Sequence, residues 1–267
     1  MTDAEASGGN GGACTSGHPQ TGITFEKGSS WADRRLRCRI TINPGLLTAE
    51  IIAPFAAFGL ALFLAAGTIA WLAGWAFLFL FFAFTIALTR WLLRHNPGLL
   101  TERMTGIGKP DQPRWDKVLF VIMEGLFVAW LVLMPLDAVR FHWSRMPGSL
   151  RVVGTLLLLG SFWLFFLTFR ENPYLSPAVR VQAERSQRVI STGPYRYVRH
   201  PMYAAVIPFI AGTSLLLGSW YGLLSGPVLM AVIAFRAVRE ERVLRSDLPG
   251  YDAYAAQVHY RFIPHVW

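Results

Sequence analysis

The sequence predicts an all-α fold, a polytopic membrane bundle of about six transmembrane helices ending in a helical hairpin. Three observations carry this. The chain of 267 residues is 53% hydrophobic with mean hydropathy +0.38. Only 15% of its residues are charged, against about 25% in soluble domains. Six apolar segments follow one another, and the Lys and Arg residues avoid every second loop.

The elements follow in order. Residues 1–45 read as a disordered basic tail, rich in Gly, Ser and Thr at its start and carrying "RRLRCR" (Arg34–Arg39) before the first span. Residues 1–30 contain no apolar run of the kind a secretory signal needs. The spans are expected at roughly 49–67, 73–93, 116–136, 150–169, 202–217 and 221–236. A span needs about 20 apolar residues, so the first four are ample and the last two short. "GSWYG" between the last two reads as the turn of a tight hairpin. Residues 46–169 form one transmembrane group, and 170–267 a second region that includes the hairpin. Trp71, Trp75, Trp91, Trp115, Trp143 and Trp220 fall near span ends, as an interfacial aromatic belt would.

Charge sets the orientation. Of 25 basic residues, 22 lie in the N-terminal region, the loops after spans two and four, and the C-terminus; Arg140, Arg145 and Arg151 are the other three. Positive residues stay inside, so both termini are expected in the cytoplasm. The net charge of +9 is therefore spread over loops, and nucleic acid is not an expected partner. Two cysteines, Cys14 and Cys38, give neither a disulfide framework nor metal spacing. No dinucleotide fingerprint, phosphate loop, H-E-x-x-H or G-x-S-x-G is present.

Chemistry is left to three clusters on the cytoplasmic side. "GPYRYVRHPMY" (Gly193–Tyr203) precedes span five, with Pro201 at the first helical position and His200 at its cap. Its types suit an interfacial anchor as well as an active site. Glu240 and Glu241 follow span six, at an expected helix C-terminus where the dipole disfavours anions. Either local pairs (Arg236 with Glu240, Glu241 with Arg245) or a cationic ligand would compensate. Tyr251, Tyr254, Arg261 and Pro264 form the third cluster, which also suits a membrane-surface tail. Glu124, inside span three, is a functional candidate by position and belongs to none of the clusters.

Together the clusters resemble the isoprenylcysteine carboxyl methyltransferase family of membrane enzymes, over roughly residues 170–264. The signature "GPYRYVRHPxYxG", an apolar hairpin, "EE" and a Tyr-x-x-Tyr tail ending in Arg and Pro is matched here, with Ala205 in place of the usual Gly. The resemblance implies S-adenosyl-L-methionine as cofactor, in a cytoplasmic pocket. Val189, Ile190, Gly193, Tyr195, His200 and Tyr203 would hold it, with Glu240 and Glu241 at its cationic end. Arg199 and Arg261 would orient an acceptor carboxylate, helped by Tyr251 and Tyr254, because a guanidinium fork suits a carboxylate. The implied partner is a lipid or lipidated acceptor, most directly an isoprenylcysteine-like carboxylate, which is already ionised and needs no base. A phospholipid amine, an NADPH-dependent sterol-type reductase and a non-enzymatic scaffold are the alternatives.

Overall fold

The computed structural model of the chain describes residues 23–26, 39–42, 44–105, 108 and 111–267. Most of the expected tail, with Cys14, Cys38 and residues 34–38 of the basic run, lies outside them. Two short strands fall within the stretch expected to be the tail. β1 (Ile23–Glu26) and β2 (Arg39–Ile42) pair antiparallel, Ile23 opposite Ile42.

The rest is helical: α1 (Pro44–Ala66), α2 (Leu72–His95), α3 (Pro97–Thr105), α4 (Arg114–Pro135), α5 (Gly148–Glu171), α6 (Pro201–Leu217), α7 (Trp220–Asp247) and α8 (Tyr251–Gln257). Among the described residues, four helical stretches are long and apolar enough to cross a membrane: Leu72–His95, Arg114–Arg140, Gly148–Glu171 and Trp220–Asp247. Ile52–Ala66 and Pro201–Leu217 are shorter apolar helices. Their outer faces expose large apolar side chains such as Leu64, Phe79, Val121, Leu156 and Leu224, more than an aqueous surface tolerates.

α5 and α6 pack at backbone contact. A Cβ on Gly154 would lie 2.5 Å from the Leu216 nitrogen, and one on Gly212 2.6 Å from the Leu158 nitrogen. Small residues let helices approach where lipid supplies no hydrophobic drive. About two turns from the glycines, Ser161 donates to the Ala205 carbonyl at 2.8 Å. The close approach thus lies at the glycines, and Ala205 fits with no exposed surface.

The turn between α6 and α7 has a polar anchor. Gly218 takes φ +85°, the left-handed conformation that ends helices. Ser219 caps α7 by accepting from the Gly222 N–H, and donates to the fully buried Asp137 at 2.6 Å. Ser144 donates to the same carboxylate oxygen, also at 2.6 Å. The core beneath is aromatic, with Phe81, Phe127, Phe162 and Trp130 grouped around Phe209. Trp71, expected in the belt, is buried in this core and fills the space above Gly74, whereas Trp75, Trp143 and Trp220 are exposed.

Two boundaries differ from the sequence reading. α3 fills what reads as a loop; it starts where Asn96 accepts from the Leu99 N–H and Pro97 takes the first helical position. α7 runs to Asp247, eleven residues past the expected end of span six. Glu240 and Glu241 therefore lie well inside the helix, beyond the last turn where the dipole acts. The misplaced-anion argument loses its basis, and the local pairs do not form. Arg236 bonds Asp116 instead, and Arg245 bonds Asp252.

Candidate active site

The polar ends of α4, α6 and α7 meet the segment 172–200, α8 and the C-terminal segment 258–262. Pro201 starts α6 and leaves His200 outside the helical region, at φ −124° and ψ 67°, as its cap. That turns Tyr203 inward on the first turn. The residues before it run against the C-terminal segment: the Arg199 N–H donates to the Tyr260 carbonyl and the His200 N–H to the Arg261 carbonyl, both at 2.9 Å.

Glu240 and Glu241 are neighbours in α7 and enter different networks, because successive helical residues point about 100° apart. Glu241 is buried and meets three basic side chains. Arg199 Nε donates at 2.8 Å, Arg261 Nε at 3.1 Å, and His200 Nε2 stands 3.1 Å away. Arg199 spends its remaining donors on Glu241 and the Val258 and His259 carbonyls. Arg261 also stacks over Trp267. The cluster ties the C-terminal segment to α6 and α7.

Glu240 belongs to a chain of bonds that begins on α4. Asp116, with no exposed surface, accepts from Arg236 Nε at 3.0 Å, from Gln112 and from the Val179 N–H. Arg236 donates to the Tyr203 hydroxyl at 2.7 Å, and that hydroxyl donates to Glu240 at 2.7 Å. Tyr203 is thus fixed as donor to one acid and acceptor from one base.

A cavity opens beside this chain. Glu240, Tyr203, His200, Arg199, Val189 and Ile190 line it, with Tyr195, Tyr251 and Tyr254. The Tyr254 hydroxyl donates to the Tyr195 carbonyl at 2.8 Å, and Asn172 donates to the Tyr195 hydroxyl at 2.8 Å. Burial pushes the Tyr195, Tyr251 and Tyr254 phenols well above their usual range, so all three are neutral. Arg180 also faces the cavity, held by Glu102, Asp111 and Glu184. These hydrogen-bonded carboxylates raise its pKa despite the opposing cost of burial.

Of the residues proposed from sequence, Val189, Ile190, Tyr195, Arg199, His200, Tyr203, Glu240, Tyr251 and Tyr254 meet on this cavity. Three do not line it. Glu241 stands behind it, Arg261 reaches Glu241 and Trp267 instead, and Gly193 takes φ +56° over Glu171, where a Cβ would lie 2.4 Å from Cγ. Asp116, Arg180 and Arg236 escape the site reading from sequence, because the bonds Asp116–Val179, Arg180–Glu102 and Arg236–Asp116 each join positions more than 60 apart.

Residues 149–248 match the family model for phospholipid methyltransferases. The matched stretch runs from α5 to the end of α7 and includes His200, Tyr203, Glu240 and Glu241, but leaves out α8 and the C-terminal segment. Among individual curated proteins, none matches the chain. The stretch from α5 to α7 is therefore similar to a family of membrane methyltransferases.

Proposed function

We propose that the chain is an integral membrane methyltransferase that uses S-adenosyl-L-methionine on a lipidic acceptor. It would span the bilayer six times, through the four long helices and the shorter α1 and α6, with both termini and the site in the cytoplasm. The observation that carries the reading is the Glu240 carboxylate on the cavity wall, within the stretch similar to phospholipid methyltransferases.

The donor set fits the cofactor. Glu240 supplies an anion for its cationic methionine end, with one oxygen held by Tyr203. The neutral tyrosines and Val189 and Ile190 supply apolar and aromatic walls for its base. The cavity, about 100 Å³, is smaller than the ~300–1,000 Å³ typical of ligand pockets. Entry of the cofactor therefore requires the cavity to widen. When bound, the cofactor supplies a methyl group activated by a sulfonium. The protein has to align the acceptor with it and exclude water.

The acceptor reading turns on Arg199. Its donors are already satisfied by Glu241 and backbone carbonyls, and Arg261 is turned to the same carboxylate. Arg199 has no free fork for an isoprenylcysteine-like carboxylate, the acceptor the signature implies, and Arg261 does not line the cavity. A phospholipid amine needs no such fork, and the matched family favours it. An amine must first lose a proton. His200 can take it, since donation from Nε2 to Glu241 leaves Nδ1 as an acceptor.

Purified full-length protein should bind isotope-labelled S-adenosylmethionine and not NADPH. Binding of NADPH alone would establish the reductase alternative. Incubation with labelled cofactor should yield alkali-stable N-methyl phospholipid. An alkali-labile methyl ester on a prenylated cysteine would select the carboxylate reading.

A further inference from the structure

A second cavity, about 530 Å³, lies among α2, α4, α5, α6 and α7. Its walls are mostly apolar, with Phe84, Phe127, Phe162 and Val206 among them, and its size suits a lipid-like ligand. Met202 lines both this space and the cofactor cavity, so the two adjoin at the first turn of α6. Two charged residues line the apolar cavity, Arg103 from α3 and Glu124 from α4.

Arg103 differs from the buried arginines at the cofactor cavity. Arg180, Arg199 and Arg236 each hold a carboxylate. Among the described residues, Arg103 has none within ion-pair reach, Glu124 included. Its guanidinium lies 4.8 Å over the Phe169 ring, and one N–H donates to the Leu175 carbonyl at 3.3 Å. A guanidinium carries five N–H donors, so most of its capacity is unused. Desolvation without a compensating anion lowers its pKa to about 10. The group is still charged at neutral pH, and an uncompensated charge beside an apolar chamber is costly.

We propose that Arg103 anchors the phosphodiester of a phospholipid acceptor whose acyl chain lies in the apolar cavity. The guanidinium supplies the charge and fork geometry that a phosphate accepts, and the phenyl walls supply the apolar contact. Arg103 lines the apolar cavity and not the cofactor cavity, which separates two kinds of acceptor. In a prenylated cysteine the anion is itself the nucleophile, and an anion held at Arg103 would stay outside the cofactor cavity. In an amine phospholipid the anion and the nucleophile are different atoms joined by a two-carbon linker. Holding the phosphate at Arg103 leaves the amine free to pass Met202 toward His200 and Glu240.

The assignment rests on the lipid acceptor proposed above, and its test does not require turnover. Full-length protein in detergent is offered phosphatidylethanolamine, diacylglycerol with the same chains, or a prenylated cysteine, and retention is read by native mass spectrometry. Wild type should retain phosphatidylethanolamine over diacylglycerol. Arg103→Gln should reduce that preference roughly tenfold to a hundredfold, the scale of a lost charge-assisted contact, and Arg103→Lys should keep part of it. Unchanged S-adenosylmethionine affinity in both variants would show that the fold is intact. Equal preference in wild type and Arg103→Gln overturns the anchor. So does Arg103-dependent retention of the prenylated cysteine in place of the phospholipid. If wild type binds no S-adenosylmethionine yet shows the Arg103-dependent preference, the anchor stands and the methyltransferase reading falls.

Discussion

Glu240 and Glu241 are chemically identical neighbours with opposite surroundings. Glu241 is buried and surrounded by donors from Arg199, His200 and Arg261. Glu240 is half-buried, accepts from Tyr203 and otherwise faces the cavity. One acid is saturated by the protein; the other has capacity left for a ligand. The difference teaches that paired acids on a helix need not share a task, since a rotation of about 100° assigns them to different sides of the element. Here one side closes the C-terminal segment onto the bundle and the other lines the site.

The sharpest way to break this division is to remove each charge in turn. Glu241→Gln leaves the Arg199 guanidinium buried without its anion and should cost about 3–5 kcal/mol of stability. Thermal or denaturant unfolding in detergent reads this directly, and limited proteolysis should show the C-terminal segment released. A fully stable Glu241→Gln variant would mean that the cluster does not hold the segment. Glu240→Gln keeps an acceptor for the Tyr203 hydroxyl, so its stability should change by less than about 1 kcal/mol. Its S-adenosylmethionine affinity, by titration, should fall roughly tenfold to a hundredfold. Equal loss of stability and of affinity in both variants would erase the distinction.

Legibility in the sequence follows the same line. The cluster around His200 is readable because Pro201 fixes a helix start and places its neighbours over a short span of chain. The apolar segments are readable because each continues for several turns. The extension of α7 is written in a weaker signal. Ile233, Ala237, Glu241, Leu244 and Leu248 continue a helical stripe past the point where hydropathy falls, and most of them are buried. An acid in that stripe conceals it from a hydropathy reading. The start of α3 is signalled by Asn96–Pro97, a cap followed by a proline at the first position. Asp116 has no such signature. Its partner Arg236 is 120 positions away, and only the packing of α4 against α7 brings them together. Arg103 is equally silent, because what marks it is the absence of a partner.

Tyr251 offers the finest comparison, since it responds to both acids. Burial raises its pKa first, and the negative charges of Glu241 and Glu240 raise it further. Its hydroxyl is buried and makes no hydrogen bond. In the unfolded chain a tyrosine ionises near pH 10, while in the folded protein Tyr251 keeps its proton well beyond that. Above about pH 10 the unfolded state therefore binds fewer protons than the folded one, and stability falls as pH rises. Each such tyrosine contributes a slope of up to about 1.4 kcal/mol per pH unit, and below pH 10 it contributes none. Tyr251→Phe should remove one share of that alkaline slope in unfolding measured from pH 9 to 12. At pH 7 it should be neutral or slightly stabilising, because the lost hydroxyl had no partner to leave behind. Tyr254→Phe should remove a similar share, and at pH 7 should also cost about 1 kcal/mol, since its hydroxyl bonds the Tyr195 carbonyl. If Tyr251→Phe is as costly as Tyr254→Phe at neutral pH, the Tyr251 hydroxyl has a partner after all, and the cavity beside Glu240 is more polar than its walls indicate.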